Sequence, residues 1–573
     1  MLSSSTPRVL VLLLALPAAA LAQGAHAAAD SADALRRARK AQERFESFRQ
    51  MHLPQSRGGA VRCDVRIGRY CYGYEDTDVA LPAEPPRIAR ARESLLAELE
   101  RRAAAIPGDG WLTGQRVRYL VEGGRLAEAA AVAAACRSAE PGWCGALAGL
   151  ALHAGGNSAG ADSAFAAAAA QLPDDARCAW LDLTPLLEGE LRKRYRAGDC
   201  AERAALAERV WWLARPFLAS EGNDLRTEHH ARVTTAQLYD RARNPYNPSW
   251  GRDAREVLVR YGSPLAWTRD RFAETGVSGG AGPRITGYEA SPSYYFFPDV
   301  EAVESPARAT ADHWTLGAPR APARYAVPYA RRVVEIDPQI ALFRRGDSTL
   351  AVAAYDVASA PTASTATVAL ALARDERTPP VLVRAAPGQS RGALTATAPW
   401  RPSIVGVEAL AADGAWGARA RRGTAPAGVA DARSIALSDV LLVEPDSVPP
   451  ATLAEALPRA RPTTRVRRGE TVGLFWEVYG TAGRTEDVAV ALAVRREHAS
   501  LRRRWSEALR LARRPEPVRL RWTTRPDDPR QLGTGGVTLG LAELPPGRYG
   551  REVTLRGAAG DSARAVRHVV IER

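Results

Sequence analysis

A carboxylate beside two imidazoles, Glu228-His229-His230, with Asp253 a short way beyond, is the set of residues in this chain that could carry acid–base chemistry. Glu228 or Asp253 would act as general base with His229 or His230 alongside, the arrangement of a hydrolase, provided burial tunes the groups and brings them within hydrogen-bond reach. A metal is the other use for such a set. A metallohydrolase helix places two histidines at i and i+4 with a glutamate between them. Here the histidines are adjacent, and adjacent side chains on a helix point about 100° apart. The spacing therefore argues against a shared ion, and no metal or other cofactor is expected. Hydrogen bonds that tie this helix to the Arg-rich segment after it are the structural alternative.

Two further stretches resemble functional motifs only superficially. Thr275–Gly282 is rich in glycine but lacks the lysine and the strand–loop–helix setting of a phosphate-binding loop, and reads as a surface loop. Arg345-Gly346-Asp347 reads as a hairpin tip, where Gly and Asp supply backbone freedom.

The six cysteines fall in three close pairs, Cys63 with Cys71, Cys136 with Cys144 and Cys178 with Cys200. None has the short spacing of a zinc site. In an oxidising compartment they read as three local disulfides, paired here by proximity alone. The N-terminus agrees: Arg8, the apolar run Val9–Leu16, Pro17, and small residues at Ala20 and Ala22 form an export signal over residues 1–22. That apolar run is far shorter than a membrane span, and no later stretch is apolar enough to replace it.

At 573 residues the chain is too long for one core. Its net charge of +14 invites a nucleic-acid partner. Only Lys40 and Lys193 are lysines, however, and the arginines are spread along the chain instead of gathered on one face. No nucleic-acid partner is expected.

The elements that must position these residues divide the chain. Residues 28–204 read as helical. Gly123-Gly124 recurs as Gly155-Gly156, and Pro141 as Pro173, with each Gly-Gly followed by an Ala-rich helix. Helix, Gly turn, helix and Pro is the pattern of stacked helical hairpins, and it resembles tetratricopeptide repeats. Cys63–Tyr74 reads as a small disulfide-closed hairpin or loop with a tyrosine cluster. Residues 205–320 hold the polar helix, a Pro/Asn turn, Trp250, and Glu256–Tyr261, read as a strand closed by Gly262-Ser263-Pro264. Tyr288–Pro298 reads as an aromatic strand. From Gln339 the period changes to two. Short strands at even spacing predict one β-sandwich over 325–446, closed by Ser434–Pro445, and a second over 463–573. Leu501–Arg514 reads as a basic amphipathic helix that packs on its own sandwich or touches a membrane surface peripherally.

The stretch from Trp211 to Pro264 resembles the GWxTD domain of secreted bacterial proteins. Trp250 and Asp253 match its turn, Tyr261, Gly262 and Pro264 match the segment end, and Glu228, His229, Arg232 and Val233 fit the preceding helix. Ser249 and Arg252 depart from the pattern. The resemblance implies an architecture more than an activity.

The chain thus reads as a multidomain α + β protein: helical hairpins, a small α/β unit, and two immunoglobulin-like sandwiches. The expected function is an exported, non-enzymatic binding or scaffold protein whose helical repeats hold an envelope protein or peptide. The alternative is an exported hydrolase built on Glu228, His229 and Asp253.

Overall fold

The computed structural model describes residues 18–55, 63–246, 249–270, 284–314, 316–360, 362–425, 434–480, 487–496, 518–524, 533–540, 544–557 and 560–573. The Thr275–Gly282 loop and the Leu501–Arg514 helix lie outside them. The protein is a mixture of helix and sheet with a helical N-terminal region and several sheets. It divides into two units, each discontinuous in sequence. The first holds residues up to Leu186 together with Gly222–Ser291 and Pro319–Arg324. The second holds Leu187–Glu221, Pro292–Ala318 and Tyr325–Arg573.

The first unit opens with helix α1 (Ala18–His52). A two-stranded hairpin follows, β1 (Val65–Ile67) and β2 (Tyr70–Tyr72), clasped by the Cys63–Cys71 disulfide. Helices α2 (Pro86–Ala105), α3 (Gly110–Glu122), α4 (Leu126–Ala134), α5 (Trp143–Ala154), α6 (Ser158–Ala170) and α7 (Asp174–Trp180) come next. They pair as antiparallel hairpins, and the repeated glycines explain why. Gly124 and Gly156 sit at φ of 72° and 79°, the left-handed conformation that ends one helix and turns the chain into the next. Small residues let the hairpins close tightly: a Cβ at Gly149 would come within 2.5 Å of the Phe165 ring. The Cys136–Cys144 disulfide bridges the α4–α5 connection.

Helices α8 (Gly189–Ala197) and α9 (Cys200–Ala214) belong to the second unit. The chain re-enters the first unit with α10 (Asp224–Asp240), which packs on α5, α6 and α3. There follow α11 (Arg252–Tyr261) and the pair β3 (Ala266–Asp270) and β4 (Arg284–Tyr288).

The expectation of a strand over Glu256–Tyr261 is corrected: this segment is α11. Its β-branched valines suggest strand, but Ala254, Val257, Leu258 and Tyr261 fall at i, i+3, i+4 and i+7 and are all buried, a helical face. The Glu256–Arg260 ion pair adds i,i+4 support. Tyr288–Pro298 is not an aromatic strand either. β4 ends at Tyr288, Pro292 and Pro298 withhold backbone donors, and Tyr294–Phe297 are buried as core aromatics with a single bridge from Tyr294 to Tyr325.

A buried ionic knot joins α1 to α3. Glu46, 1% exposed, accepts from Arg49, from Arg118 at 2.6 Å and from Tyr119 Oη at 2.6 Å, while Arg49 and Arg118 also reach Glu122.

The second unit contains α12 (Val300–Glu304) and two packed pairs of sheets. In the first pair, β5 (Arg332–Glu335), β12 (Trp416–Thr424), β11 (Ser403–Ala411), β8 (Ala366–Ala373) and β9 (Val381–Arg384) form one sheet in that order. β6 (Gln339–Arg345), β7 (Ser348–Asp356) and β10 (Arg391–Pro399) form the other. Alternate residues of both, among them Tyr355, Leu370, Val407 and Trp416, enclose a common core. Gly346, at φ 59°, and Asp347 make the two-residue β6–β7 turn, as their composition predicts.

In the second pair, β13 (Ala436–Leu437), β14 (Leu441–Val443), β16 (Thr471–Tyr479) and β19 (Gly533–Gly540) face β15 (Arg465–Arg467), β17 (Val488–Arg496), β18 (Val518–Thr524), β20 (Gly547–Arg556) and β21 (Ser562–Glu572). Trp476, Val490, Val553 and Ile571 lie in their shared core. The short helix α13 (Leu453–Ala456) lies between β14 and β15. The expectation that Ser434–Pro445 closes the first sandwich is corrected, since β13 and β14 pair with β16. Strand composition does not reveal which sheet edge a short strand joins. Leu441 and Val443 also sit in a core with Phe343 and Phe475 that links the two sheet pairs.

Candidate functional site

Helix α10 begins at Asn223, whose side chain accepts from Arg226 N at 3.2 Å. Much of the helix is buried, so its polar residues must be satisfied within the protein. Glu228 Oε2 lies 2.6 Å from Nε2 of His153 on α5, and Oε1 accepts from Arg232 Nε at 2.6 Å. Thr227 donates its hydroxyl proton to Asp224 O, and its oxygen also lies 2.9 Å from His153 Nδ1. Burial alone would raise the Glu228 carboxyl, but Arg232 and His153 outweigh it and hold the group well below the usual carboxylate range.

Arg232 carries the connection onward. Its Nη1 donates to the carbonyls of Val259 and Arg260, and its Nη2 to that of Arg324. The first two carbonyls belong to the last turn of α11, where a cation is favoured. Gly262 follows at φ 107°, and a Cβ there would come 3.1 Å from Arg232 Nη2. The close approach of the guanidinium and the left-handed backbone both ask for glycine.

The other end of α11 is held by the disulfide hairpin. Asp253 accepts from Arg69 Nε at 2.7 Å, Arg69 Nη2 at 2.8 Å and Ala254 N at 2.9 Å. The bond from Arg69 comes first among the causes that keep its carboxyl ionised far below the usual range. The hairpin tip lies hard against it: a Cβ on Gly68, at φ 52°, would meet Asp253 Cβ at 2.7 Å. Tyr72 stacks on Tyr261 with ring centroids 3.6 Å apart, and Ile67 and Val257 complete a small core.

Asp253 therefore pairs with Arg69 and not with Arg255, which pairs with Asp240. Trp250 is half-buried; its Nε1 donates to Asp240 at 2.9 Å and its ring covers Tyr239 and Tyr246. Pro264 lies against Gly287, where a Cβ would come within 2.5 Å.

The two carboxylates of the hydrolase reading are engaged separately. Glu228 meets His153 and Arg232, Asp253 meets Arg69, and no hydrogen bond or ion pair joins them among the described residues. His230 turns away to stack on Trp180 at 4.6 Å. His229 is buried, and desolvation followed by Arg232 depresses it to about 3. His153 and Arg69, both central here, carry no local signal in the sequence because each acts on a partner far along the chain. Glu289 was also missed. Burial pushes its carboxyl up to about 7, only partly offset by its own backbone N–H and by Arg232.

These shifts give a pH signature. Unfolded histidines take up protons as the pH falls through about 6.5, whereas folded His229 does so only near 3. Across that window the unfolded state binds more protons, so the stability His229 contributes is complete above pH 6.5 and falls by up to about 1.4 kcal/mol per pH unit below it. Buried His230 acts in the same direction. Glu289 acts oppositely, because its raised pKa makes the folded state gain protons first. The difference between wild type and His229→Gln isolates one term. Urea unfolding between pH 6.5 and 5 is expected to be less pH-dependent in the variant; parallel curves would contradict the assignment.

Asp253→Ala is expected to release the hairpin without unfolding α10. Amides of residues 65–72 should then exchange faster while those of residues 227–238 keep their protection, measured by hydrogen exchange.

All six cysteines are disulfide-bonded. Among the described residues no helix is long and apolar enough to cross a membrane. No family model and no curated protein matches the chain. Among solved structures, the FN1–FN3 domains of chicken CNTN1 align with 42% of this chain and 68% of their own at 10% identity and TM-score 0.15. Red sea bream transglutaminase aligns over 42% of this chain and 32% of its own at 10% identity and TM-score 0.14. The E. coli alpha-2-macroglobulin aligns over 53% and 18% at 12% identity and TM-score 0.13. This chain thus spans less than a third of the length of the last two. At TM-scores this low the likenesses support no argument about the chain.

Proposed function

We propose that this is an exported binding or scaffold protein of the bacterial envelope that works without catalysis. In this reading the hairpins of α1–α6 are tetratricopeptide-like and hold a protein or peptide partner. The α10–α11 region is a GWxTD-like unit, and the two sheet pairs are immunoglobulin-like modules. The observation that carries the proposal is the use made of the motif residues. Glu228, Arg232, Asp253 and Tyr261 each have intramolecular partners that fix α11 between α10 and the disulfide hairpin. Side chains committed in this way define a shape. Oxidised cysteines throughout favour an oxidising compartment such as the periplasm or cell surface.

The hydrolase alternative requires Asp253 or His229 to act with Glu228 on one substrate, and their separate partners count against it. Cross-linking of the full chain in envelope preparations, mapped by mass spectrometry, tests the proposal. Cross-links from the α3–α6 surface to one reproducible partner are expected. Turnover of a hydrolase substrate that Glu228→Gln abolishes in a folded protein would contradict it.

A further inference from the structure

The second unit holds buried arginines that the proposed function does not use. Arg551 on β20 and Arg567 on β21 are register partners. Strand alternation places Arg551 on the same face as Tyr549, Val553 and Leu555, and Arg567 on the same face as Val569 and Ile571. These are the core faces of their strands. Arg551 is 1% exposed and Arg567 6%.

Both terminal nitrogens of Arg567 are engaged: they donate to Ile340 O at 2.7 Å and to Gln339 Oε1 at 2.9 Å, and only its Nε lacks a partner among the described residues. Arg461, also buried, pairs with Glu444 and Glu470 at 3.1 Å each. Arg422 on β12 donates to the same Ile340 carbonyl at 2.9 Å. Arg551 differs. None of its three side-chain nitrogens has a hydrogen-bond partner among the described residues.

Burial, and after it the Arg461 charge, lowers Arg551 to about 10, which still leaves it a cation at neutral pH. Burial and Arg422 do the same to Arg567, with Asp439 and Asp337 opposing. A buried guanidinium with no counter-charge is strongly unfavourable, and an apolar residue would fill this core position at less cost. The five N–H donors of arginine, in a planar fork, match the oxygens of an oxyanion.

We propose that Arg551, with Arg461 and Arg567 beside it, binds a small tetrahedral oxyanion of the phosphate or sulfate class inside the second sheet pair. Enclosure of all three Arg551 nitrogens excludes a lipid headgroup, a nucleic acid or a peptide and leaves a free ion. Bound there, the ion completes the polar layer around Gln339, whose amide also bonds Leu442 and Arg461. It would thereby couple the two sheet pairs.

Equilibrium dialysis of the full chain against radiolabelled sulfate and phosphate tests this directly. Thermal midpoints in a few millimolar of each salt accompany it, with sodium chloride at matched ionic strength as control. That concentration is low enough to avoid general salting effects. Saturable binding of one ion per chain is expected, with a midpoint about 2–4 °C above the chloride control. Arg551→Met should fold and lose both, while Arg548→Met, at an exposed position of the same strand, should keep both. Three results would overturn the proposal: no saturable binding by the wild type, equal midpoints in oxyanion and chloride, or undiminished binding by Arg551→Met. Should Arg551→Met fail to fold, wild-type dialysis decides the matter.

Discussion

Arg232→Met is expected to destabilise the first unit by about 3–5 kcal/mol, the scale for removing one partner of a buried pair. The substitution conserves the aliphatic stem but strands two sets of acceptors. Glu228 loses the nearest cation and keeps only His153 and the helix backbone around it. The carbonyls of Val259 and Arg324 lose the guanidinium as donor in a buried setting, and that of Arg260 keeps only the backbone N–H of Arg324. Because the guanidinium ties α10 to the end of α11, the loss should be concerted. Urea unfolding should show the lowered midpoint, and hydrogen exchange should rise at residues 252–261 first. Glu228→Gln should cost less, since an amide still accepts from Arg232 and leaves no uncompensated charge on the carboxylate side.

Glu46→Leu is expected to cost a similar amount, about 3–5 kcal/mol. Glu46 accepts from Arg49, Arg118 and Tyr119 in a site closed to solvent. Glu122 alone then faces two buried arginines. Burial opposes the charge on Arg49 while Glu122 and Glu46 raise its pKa in return, so the pair of carboxylates is what keeps this cluster tolerable. The effect should centre on α1 and α3, whose contact the knot secures. Thermal unfolding followed by far-UV circular dichroism would register it as a lower midpoint with helix lost first. An unchanged midpoint would mean that the knot opens to water.

Much of the architecture is legible in the sequence because it follows from local rules. The paired glycines at 123–124 and 155–156 mark turns that need left-handed backbone. The close spacing of Cys63 with Cys71 and of Cys136 with Cys144 matches the bridges those four cysteines form. Period-two runs beginning at Gln339 become β6, β7, β8, β10 and β11.

The failures also have physical causes. Glu256–Tyr261 has strand composition but helical spacing, and spacing prevailed because Tyr261 and Val257 had a core to face. The assignment of Ser434–Pro445 failed because pairing is a choice among sheet edges. The partners of the site residues were not legible at all. A backbone bond at the turn, from Ala254 N to Asp253, follows from local sequence, but Arg69, far off in the chain on a hairpin tip, presents three N–H groups to the same carboxylate. A separation of that kind leaves no periodicity to read.

The central claim is that the polar residues of the α10–α11 motif hold structure together instead of performing a reaction. A double-mutant cycle on Glu228→Gln and Arg232→Met, read by urea unfolding at pH 7, measures this. A coupling of about 1–3 kcal/mol is predicted, since both side chains belong to one buried network. Additive effects, with each variant as stable as the wild type, would contradict the account.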